Sequence, residues 1–370
     1  MTNNLDSVPW IEKYRPKKLQ DIAQSENLIK LFKNSTSKGE MTHFLFYGPP
    51  GTGKTSAILA MGREIFKEHF PTRVIEFNAS DDRGINAVRE KITNEAKKYV
   101  TSITNPNGTT IPSYKIIILD EADSMTDEAQ DALRVIIEQY STTTRFCFIC
   151  NYITKITDAI KSRCSAVYFK KLDDECMINK LNEISTKESM ELSKEILETI
   201  IEVSNGDMRK AIMLLQNLKY LYGFKNRTKK NFEDISVSEL KTLSFKTLTN
   251  NNNNNDITPE DIYELAACIT LSRAEDIINE SISCKNVIEL SDLTKKIISL
   301  GYPIDTILMQ LNKGILKTKN LNTIQKSKII INSGDILLKI KECGNEYIQL
   351  LNYLCCINNV HKNNTLFGVI

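Results

Sequence analysis

The chain has 370 residues and a mass of 42.1 kDa, a length that indicates two or three domains rather than one. Hydrophobic residues make up 41% and charged residues 25%, which excludes a disordered or fibrous protein. The 48 lysines and arginines exceed the 46 aspartates and glutamates by only two, so the chain lacks the strong positive charge of a general nucleic-acid coat protein. Any nucleic-acid site must therefore be local.

The N-terminus is polar, and no apolar run approaches the ~18 residues that would span a bilayer, so we expect an intracellular, soluble protein without a membrane partner. The nine cysteines show no framework spacing, and we expect free thiols. Cys147 and Cys150 form a CxxC pair. Because zinc needs a second pair of ligands and the chain has only three histidines, we interpret the pair as buried thiols of a strand.

Short β-rich runs alternate with longer helical patterns in the first half of the chain. This alternation predicts an α/β fold with a parallel sheet covered by helices. The five candidate strands are His43 to Tyr47, Val74 to Phe77, Lys115 to Leu119, Phe146 to Cys150 and Ala166 to Phe169. Residues 101–113 are rich in Thr, Asn, Gly and Pro, which predicts an exposed loop before the third strand.

From about residue 173 onward, helical periodicity replaces the strand pattern. One apolar stripe consists of Met208, Ala211, Ile212, Leu215 and Leu218. Lysine and asparagine clusters fill residues 225–256 and end in six consecutive asparagines, which predicts a flexible insertion or linker. We therefore predict an α/β domain over 1–172, a helical domain over 173–249 and a second helical domain over 250–370.

A glycine-rich loop follows the first predicted strand and opens a predicted helix. Its sequence fits GxxxxGK[ST], and its glycines permit backbone conformations that aim N–H groups at phosphate oxygens. Lys54 would reach the β- and γ-phosphates of ATP, and the Thr55 hydroxyl would bind Mg²⁺. The alternative, a tight turn with a solvated lysine, does not require this strand–loop–helix context. The residues predicted to bind ATP here are Gly48, Pro49, Pro50, Gly51, Thr52, Gly53, Lys54 and Thr55.

The third predicted strand ends in adjacent carboxylates, at the edge where parallel sheets bind ligands. Asp120 can hold Mg²⁺, and Glu121 can orient and polarise an attacking water. A helix-capping cluster is the alternative interpretation. Asn151, at the end of the fourth strand, could contact the γ-phosphate or the water, although an asparagine there is usually a turn residue. Together these residues predict ATP hydrolysis with Mg²⁺ as the cofactor.

These motifs, followed by Ser-Arg-Cys at 162–164 and Gly-Asp-Met-Arg at 206–209, resemble the ordered motifs of the AAA+ ATPases and, within them, of the replication factor C small subunits. The stretches at 9–16 (PWIEKYRP) and 78–84 (NASDDRG) resemble two further boxes of that family. The similarity covers roughly residues 8–220. It implies the AAA+ parallel five-stranded sheet with helices, followed by a helical lid and an all-α collar domain for oligomerisation.

The resemblance implies roles that spacing alone could not assign. It identifies Arg163 as the arginine finger donated in trans to the ATP of a neighbouring subunit, against the alternative of a surface arginine after a helix. It implies that Arg209 touches the phosphates in cis from the lid. It also places the box containing Tyr14 and Arg15 over the adenine.

Three basic residues match family positions that follow the phosphates of duplex DNA, namely Arg83, Arg89 and Lys155. Phosphate contacts carry no sequence information, as a loader that acts on any primed site would need. The alternative for each is an ordinary solvated cation. Two departures from the family pattern, Arg-Val at 134–135 and Asp-Ala at 158–159, remove no chemical group from the ATP site.

The sequence thus predicts an ATPase subunit of the hetero-pentameric replication factor C clamp loader, located in the nucleus. ATP binding would close the ring around its partners, and hydrolysis would release the loaded clamp. The implied partners are the other replication factor C subunits, the sliding clamp (proliferating cell nuclear antigen) and primer-template DNA. Two alternatives stay open: a scaffold subunit that binds nucleotide without hydrolysing it, and a homo-oligomeric AAA+ DNA motor.

Overall fold

The computed structural model describes residues 8–38, 40–79, 85–104, 110–230, 257–318, 321–342 and 344–362. Two compact units divide the chain, Met1–Gln216 and Asn217–Ile370. The three domains predicted from the sequence, with boundaries at 172/173 and 249/250, stay a prediction. Most of the predicted insertion lies outside the described residues.

The first unit is built on a five-stranded parallel sheet, as predicted. The strands in chain order are β1 (Phe44–Tyr47), β2 (Val74–Asn78), β3 (Ile103–Thr104), β4 (Thr110–Ile111), β5 (Lys115–Asp120), β6 (Thr144–Cys150) and β7 (Ser165–Tyr168). The sheet has the order β2-β5-β6-β1-β7, and each neighbouring pair is parallel. The phosphate-loop strand β1 and the carboxylate-bearing strand β5 are therefore separated by β6 alone.

The prediction of a plain exposed loop over residues 101–113 is wrong. Strands β3 and β4 pair there as a small antiparallel hairpin. Ile111 is only 3% exposed and packs in the core with Tyr114. Burial of this apolar anchor stabilises a pairing that the turn-rich composition does not suggest.

The helices of the chain, in order, are α1 (Trp10–Lys13), α2 (Glu26–Lys38), α3 (Lys54–Phe66), α4 (Phe70–Arg73), α5 (Ile85–Lys97), α6 (Asp127–Tyr140), α7 (Asp158–Lys161), α8 (Asp174–Lys187), α9 (Lys194–Ser204), α10 (Met208–Lys230), α11 (Pro259–Leu265), α12 (Leu271–Ser283), α13 (Val287–Ile298), α14 (Ile304–Lys317), α15 (Thr323–Lys341) and α16 (Glu346–His361). None of these described helices is long and apolar enough to cross a membrane.

Strand β5 shows why the sheet is covered on both faces. Its four central residues, 116–119, are fully buried and strongly apolar, as expected for a central parallel strand. Alternate side chains point to opposite faces, so Ile116 and Ile118 join the core that contains α3, whereas Ile117 and Leu119 join the core formed with α5 and α6. The two cores hold the strand tips of the candidate site in place.

The CxxC cysteines occupy these same two cores. Cys147 lies in the α3 core and Cys150 in the opposite one, and both are buried free thiols, which confirms their interpretation. Burial raises the pKa of the Cys150 thiol to about 12, so it stays protonated at neutral pH.

The second unit is helical in its described residues, as predicted. Helices α12 to α16 enclose one apolar core, which contains a small polar network. The Tyr353 hydroxyl donates to Asn312 Oδ1 at 2.7 Å, and Asn312 Nδ2 donates to Ser333 Oγ at 2.7 Å. These hydrogen bonds satisfy polar groups inside the core and fix how α14, α15 and α16 pack together.

His43 immediately precedes β1 and has an unusually low pKa. Its Nδ1 accepts a hydrogen bond from the backbone N–H of Phe146 at 3.1 Å, which requires that nitrogen to be unprotonated. Burial, with a smaller contribution from the nearby Arg145 guanidinium, lowers the pKa of His43 from 6.5 to about 4. The folded unit therefore contains a neutral imidazole at neutral pH.

We expect His43 to make the fold less stable in mild acid. Between pH 6.5 and 4 the unfolded chain binds a proton that the folded chain does not, so stability is full above pH 6.5 and falls as the pH falls through this window. The His43→Gln variant, which keeps an acceptor without titrating, should lose less free energy of unfolding between pH 7 and 5 than wild type, by on the order of 1–2 kcal/mol.

Urea unfolding at the two pH values measures this difference. The matched control is His361→Gln, which changes an exposed histidine at the end of α16 and should behave as wild type. Equal pH dependence in wild type and His43→Gln would contradict the assignment.

Candidate functional site

The phosphate loop joins β1 to α3 in a conformation that requires its glycines. Gly48, Gly51 and Gly53 have φ values of 140°, 72° and 89°. A Cβ at Gly48 would lie 2.2 Å from the carbonyl oxygen of Phe169, so no larger residue fits there. Gly53 directly precedes α3, and no side chain caps that helix end. The positive end of α3 is therefore available to an anion at the loop.

Lys54 connects the loop to the end of β6. Its Nζ donates to the carbonyl oxygens of Gly48 and Pro49, both at 2.8 Å, and to Asn151 Oδ1 at 3.0 Å. The side chain is buried, and this burial lowers the pKa of Lys54, while the Asp120 carboxylate acts in the opposite direction. The structure thus brings Lys54 and Asn151, two of the predicted site residues, into direct contact.

Asp120, the last residue of β5, lies at the same edge of the sheet as Lys54 and Asn151. Its Oδ2 accepts a hydrogen bond from the Thr55 hydroxyl at 2.8 Å, and its Oδ1 accepts one from the backbone N–H of Glu121 at 2.9 Å. Glu121 is exposed and has a left-handed backbone, with φ 55°. The Thr55 hydroxyl and the Asp120 carboxylate supply the oxygen ligands that Mg²⁺ prefers, so this donor set fits the ion.

The acidic cluster does not cap α6. The cap of α6 is Thr126, whose side chain accepts from the backbone N–H of Ala129. Asp120 ends β5, Glu121 directly precedes a short 3-10 helix at Ala122–Ser124, and Asp123 lies within that helix. These carboxylates are therefore available to the site at the strand ends.

Asp123 is a site residue that the sequence analysis missed. Its Oδ2 accepts hydrogen bonds from the backbone N–H groups of Asn151 at 3.1 Å and of Tyr152 at 3.3 Å. These bonds join the turn after β5 to the turn after β6 and so fix the backbone that carries Asn151. The only sequence signal was its membership of the same acidic cluster as Asp120.

An open pocket lies beside the phosphate loop. Three parts of the first unit form most of its wall: the N-terminal segment, the loop itself and the start of α10. The lining residues from these parts are Ile11, Tyr14, Arg15, Pro16, Gly51, Thr52, Gly53, Met208, Arg209 and Ile212. The predicted ATP contacts at Tyr14, Arg15 and Arg209 therefore share one pocket with the phosphate loop.

The start of α10 lies against the phosphate loop. Asp207 Oδ1 accepts from the backbone N–H groups of Arg209 at 2.8 Å and Lys210 at 3.4 Å, which satisfies two donors at the helix start. A Cβ on Gly51 would lie 1.9 Å from that same oxygen. Gly51 therefore allows the close approach that brings the exposed Arg209 to the pocket.

Arg163 is not among the pocket-lining residues. Its Nε donates to Glu138 Oε1 at 2.8 Å, and its Nη1 donates to the carbonyl oxygen of Ala159 at 2.8 Å. A second bond to Glu138, from Nη2 at 2.5 Å, completes the ion pair. The guanidinium is thus held by its own chain after α7.

The three predicted DNA contacts are only partly described. Lys155 is exposed in the turn after β6, with its Nζ 5.7 Å from the centroid of the Tyr152 ring. Arg89 belongs to α5, but its side chain lies outside the described residues, and Arg83 lies outside them altogether. The DNA-contact assignment stays a prediction.

Three family models match consecutive parts of the chain. The model for the ATPase family associated with various cellular activities (AAA) matches residues 44–172, and the model for the RCF1/5-like, AAA+ ATPase lid domain matches residues 179–219. The model for the replication factor C C-terminal domain matches residues 270–356.

Several known proteins are similar to this chain, most of them over nearly its whole length. A replication factor C small subunit of Acanthamoeba polyphaga mimivirus is 74% identical over 97% of this chain and 98% of its own length. Replication factor C subunit 2 of Schizosaccharomyces pombe is 37% identical over 96% of this chain and 95% of its own length. Subunit 4 of Homo sapiens is 48% identical over 62% of this chain and 63% of its own length.

A solved structure shares the fold. The RuvB Holliday junction branch migration motor of Thermotoga maritima matches with a TM-score of 0.50 over 81% of this chain and 91% of that chain, at 15% identity. The sheet, the lid and the C-terminal helical region agree with the AAA+ architecture, and the mimivirus and Schizosaccharomyces pombe relatives align with more than nine-tenths of the chain. The chain therefore belongs to the replication factor C small subunits, within the AAA+ clamp-loader ATPases.

Proposed function

We propose that this chain binds and hydrolyses ATP as one subunit of a hetero-pentameric clamp loader. The proposal rests on one observation: side chains suited to ATP hydrolysis lie together at the ends of three neighbouring strands. Lys54 and Thr55 follow β1, Asp120 ends β5 and Asn151 follows β6, and hydrogen bonds join Lys54 to Asn151 and Thr55 to Asp120. A scaffold subunit without hydrolysis would not need all of these groups together.

The chain's own residues would divide the work of hydrolysis. Lys54 exchanges its contacts with the loop carbonyls for contacts with the β- and γ-phosphates, where its charge stabilises the transferring group. Thr55 and Asp120 would hold Mg²⁺, which supplies electrophilic charge to the phosphates when bound. The exposed Glu121 carboxylate orients the attacking water and accepts its proton, and the Asn151 amide fixes the γ-phosphate end.

The remaining predicted residues are assigned to contacts with other molecules, namely a neighbouring subunit and DNA. Arg163 would enter the ATP site of a neighbouring subunit, as its position outside this chain's own pocket supports. Arg83, Arg89 and Lys155 would contact the phosphates of primer-template DNA while the loader opens the sliding clamp. We expect the chain to act where DNA is replicated. The eukaryotic relatives favour the nucleus as that place, although a mimivirus protein is also among the relatives.

Two variants separate nucleotide binding from hydrolysis. Lys54→Ala should weaken ATP binding strongly because it removes the cation at the phosphates. Glu121→Gln should keep ATP affinity and slow hydrolysis by about 100-fold or more, because it removes the general base. ATP titration and single-turnover assays of the assembled complex measure both effects, with Glu128→Gln, an exposed glutamate of α6, as the control. Unchanged turnover in Glu121→Gln would overturn its catalytic assignment.

The trans assignment of Arg163 makes a distinct prediction. Arg163→Ala should leave this subunit's own ATP affinity intact while it slows hydrolysis at the neighbouring site by on the order of 10³-fold. Arg209→Ala should instead weaken ATP binding in cis, because Arg209 lines this chain's own pocket. Loss of ATP binding by the isolated Arg163→Ala subunit, together with normal turnover of the complex, would exclude the trans role.

A salt titration tests the DNA assignment at Lys155, the one member of the predicted set whose side chain is described. A cation that neutralises a duplex phosphate releases counterions, whereas a cation facing solvent does not. Lys155→Ala should therefore reduce the slope of log affinity against log salt for primer-template DNA by about 0.9. Lys194→Ala, at an exposed lysine of α9, should keep the wild-type slope. If both variants keep it, Lys155 is an ordinary solvated cation.

A further inference from the structure

Glu188 joins two parts of the first unit that are distant in sequence. It follows α8 directly, and only 8% of its side chain is exposed. Its Oε1 accepts hydrogen bonds from the hydroxyl of Tyr14 and, at 2.5 Å, from Nζ of Lys13. The carboxylate is thus held by two donors of the N-terminal segment, which we define as residues 10–16.

The position of Glu188 is unfavourable for a carboxylate taken alone. The C-terminal end of a helix carries partial negative charge, and burial adds the cost of removing the carboxylate from water. The bonds from Tyr14 and Lys13 offset both costs. The hydrogen bond to Glu188 in turn raises the pKa of Lys13. Removing the carboxylate would leave the N-terminal segment without these bonds.

The N-terminal segment held by Glu188 is a wall of the nucleotide pocket. Tyr14 lies in that wall, and its ring also meets Trp10 edge-on, with the ring centroids 6.1 Å apart. A second bond, from the backbone N–H of Trp10 to Gln216 Oε1 at 3.1 Å, ties the segment to α10. Glu188 and Gln216, which hold the segment, belong to the helical part of the chain after the sheet. The phosphate loop, in contrast, is held between β1 and α3. The pocket therefore has a nucleoside half, anchored by these bonds, and a phosphate half, the loop between β1 and α3, which the start of α10 also contacts at Gly51.

We propose that Glu188 is a positioning residue for nucleoside binding, which fastens the N-terminal segment to the end of α8 so that Tyr14 and its neighbours form a wall against the base and ribose of ATP. This inference rests on the proposed ATP binding. The hydrogen bonds that hold Lys54, Thr55 and Asp120 in the phosphate half do not involve Glu188. Its loss should therefore affect recognition of the nucleoside and leave recognition of the phosphates unchanged.

Two ligands separate these halves of the site. ATP contacts both halves, whereas inorganic tripolyphosphate lacks the base and ribose and can contact only the phosphate-binding groups. In calorimetric titrations of the full-length chain with Mg²⁺, Glu188→Ala should raise the Kd for ATP about tenfold, as expected for two lost hydrogen bonds, and leave the Kd for tripolyphosphate unchanged. Trp10, the only tryptophan of the chain, reports on the segment by its fluorescence in the same titrations.

Further variants keep the inference falsifiable if Glu188→Ala folds poorly. Glu188→Gln keeps one acceptor oxygen and should weaken ATP binding less. Tyr14→Phe removes only the hydroxyl, and added to Glu188→Ala it should cause no further loss, because the two changes break the same bond. The control is Glu191→Ala, at an exposed glutamate three residues away, which should bind both ligands as wild type does.

Each outcome has a distinct meaning. Equal weakening of ATP and tripolyphosphate in Glu188→Ala would overturn the positioning role, since it would show a general loss of structure. Wild-type ATP affinity in Glu188→Ala, Glu188→Gln and Tyr14→Phe would overturn the inference alone. A wild-type chain that binds neither ligand would overturn the proposed function and this inference with it.

Discussion

The geometry of the candidate site depends on the contacts of one ammonium group, that of Lys54. Lys54 Nζ bonds to two carbonyl oxygens of its own loop and to the Asn151 amide at the end of the neighbouring strand. A buried cation requires such acceptors, because burying an unpaired charge costs far more free energy than burying an unpaired neutral polar group. The strand order β5-β6-β1 supplies them and brings the Asp120 carboxylate to the same edge. The phosphate loop, the magnesium ligands and the strand-end amide are therefore parts of one arrangement.

Local sequence patterns predicted the parts of this arrangement that are themselves local. The apolar run at 116–119 marked a buried strand, and the glycine spacing of the phosphate loop marked its conformation. The placement of Asn151 followed from the rule that parallel strands end at a common edge. The resemblance to the replication factor C small subunits, carried by motifs over residues 8–220, then supplied the lid and collar that periodicity alone could not identify.

The features that the sequence did not predict depend on distant partners. Strands β3 and β4 have two residues each, so they form only because Ile111 reaches the core. Asp123 meets backbone N–H groups 28 and 29 residues away, and Glu188 meets Tyr14 across 174 residues. Periodicity and spacing report on neighbours within one element, so contacts of this kind become visible only in the folded chain.

The proposed ATP site also explains why assembly matters. Arg163 lies outside this chain's pocket and is held by Glu138. A neighbouring subunit would therefore have to supply the arginine finger to this chain's ATP site. Arg163 would in turn serve the ATP site of another subunit. The mass of the native complex tests this account most directly. Native mass spectrometry of the complex purified through this chain should find five subunits, with this chain present once beside different family members. A ring composed only of copies of this chain would contradict the account.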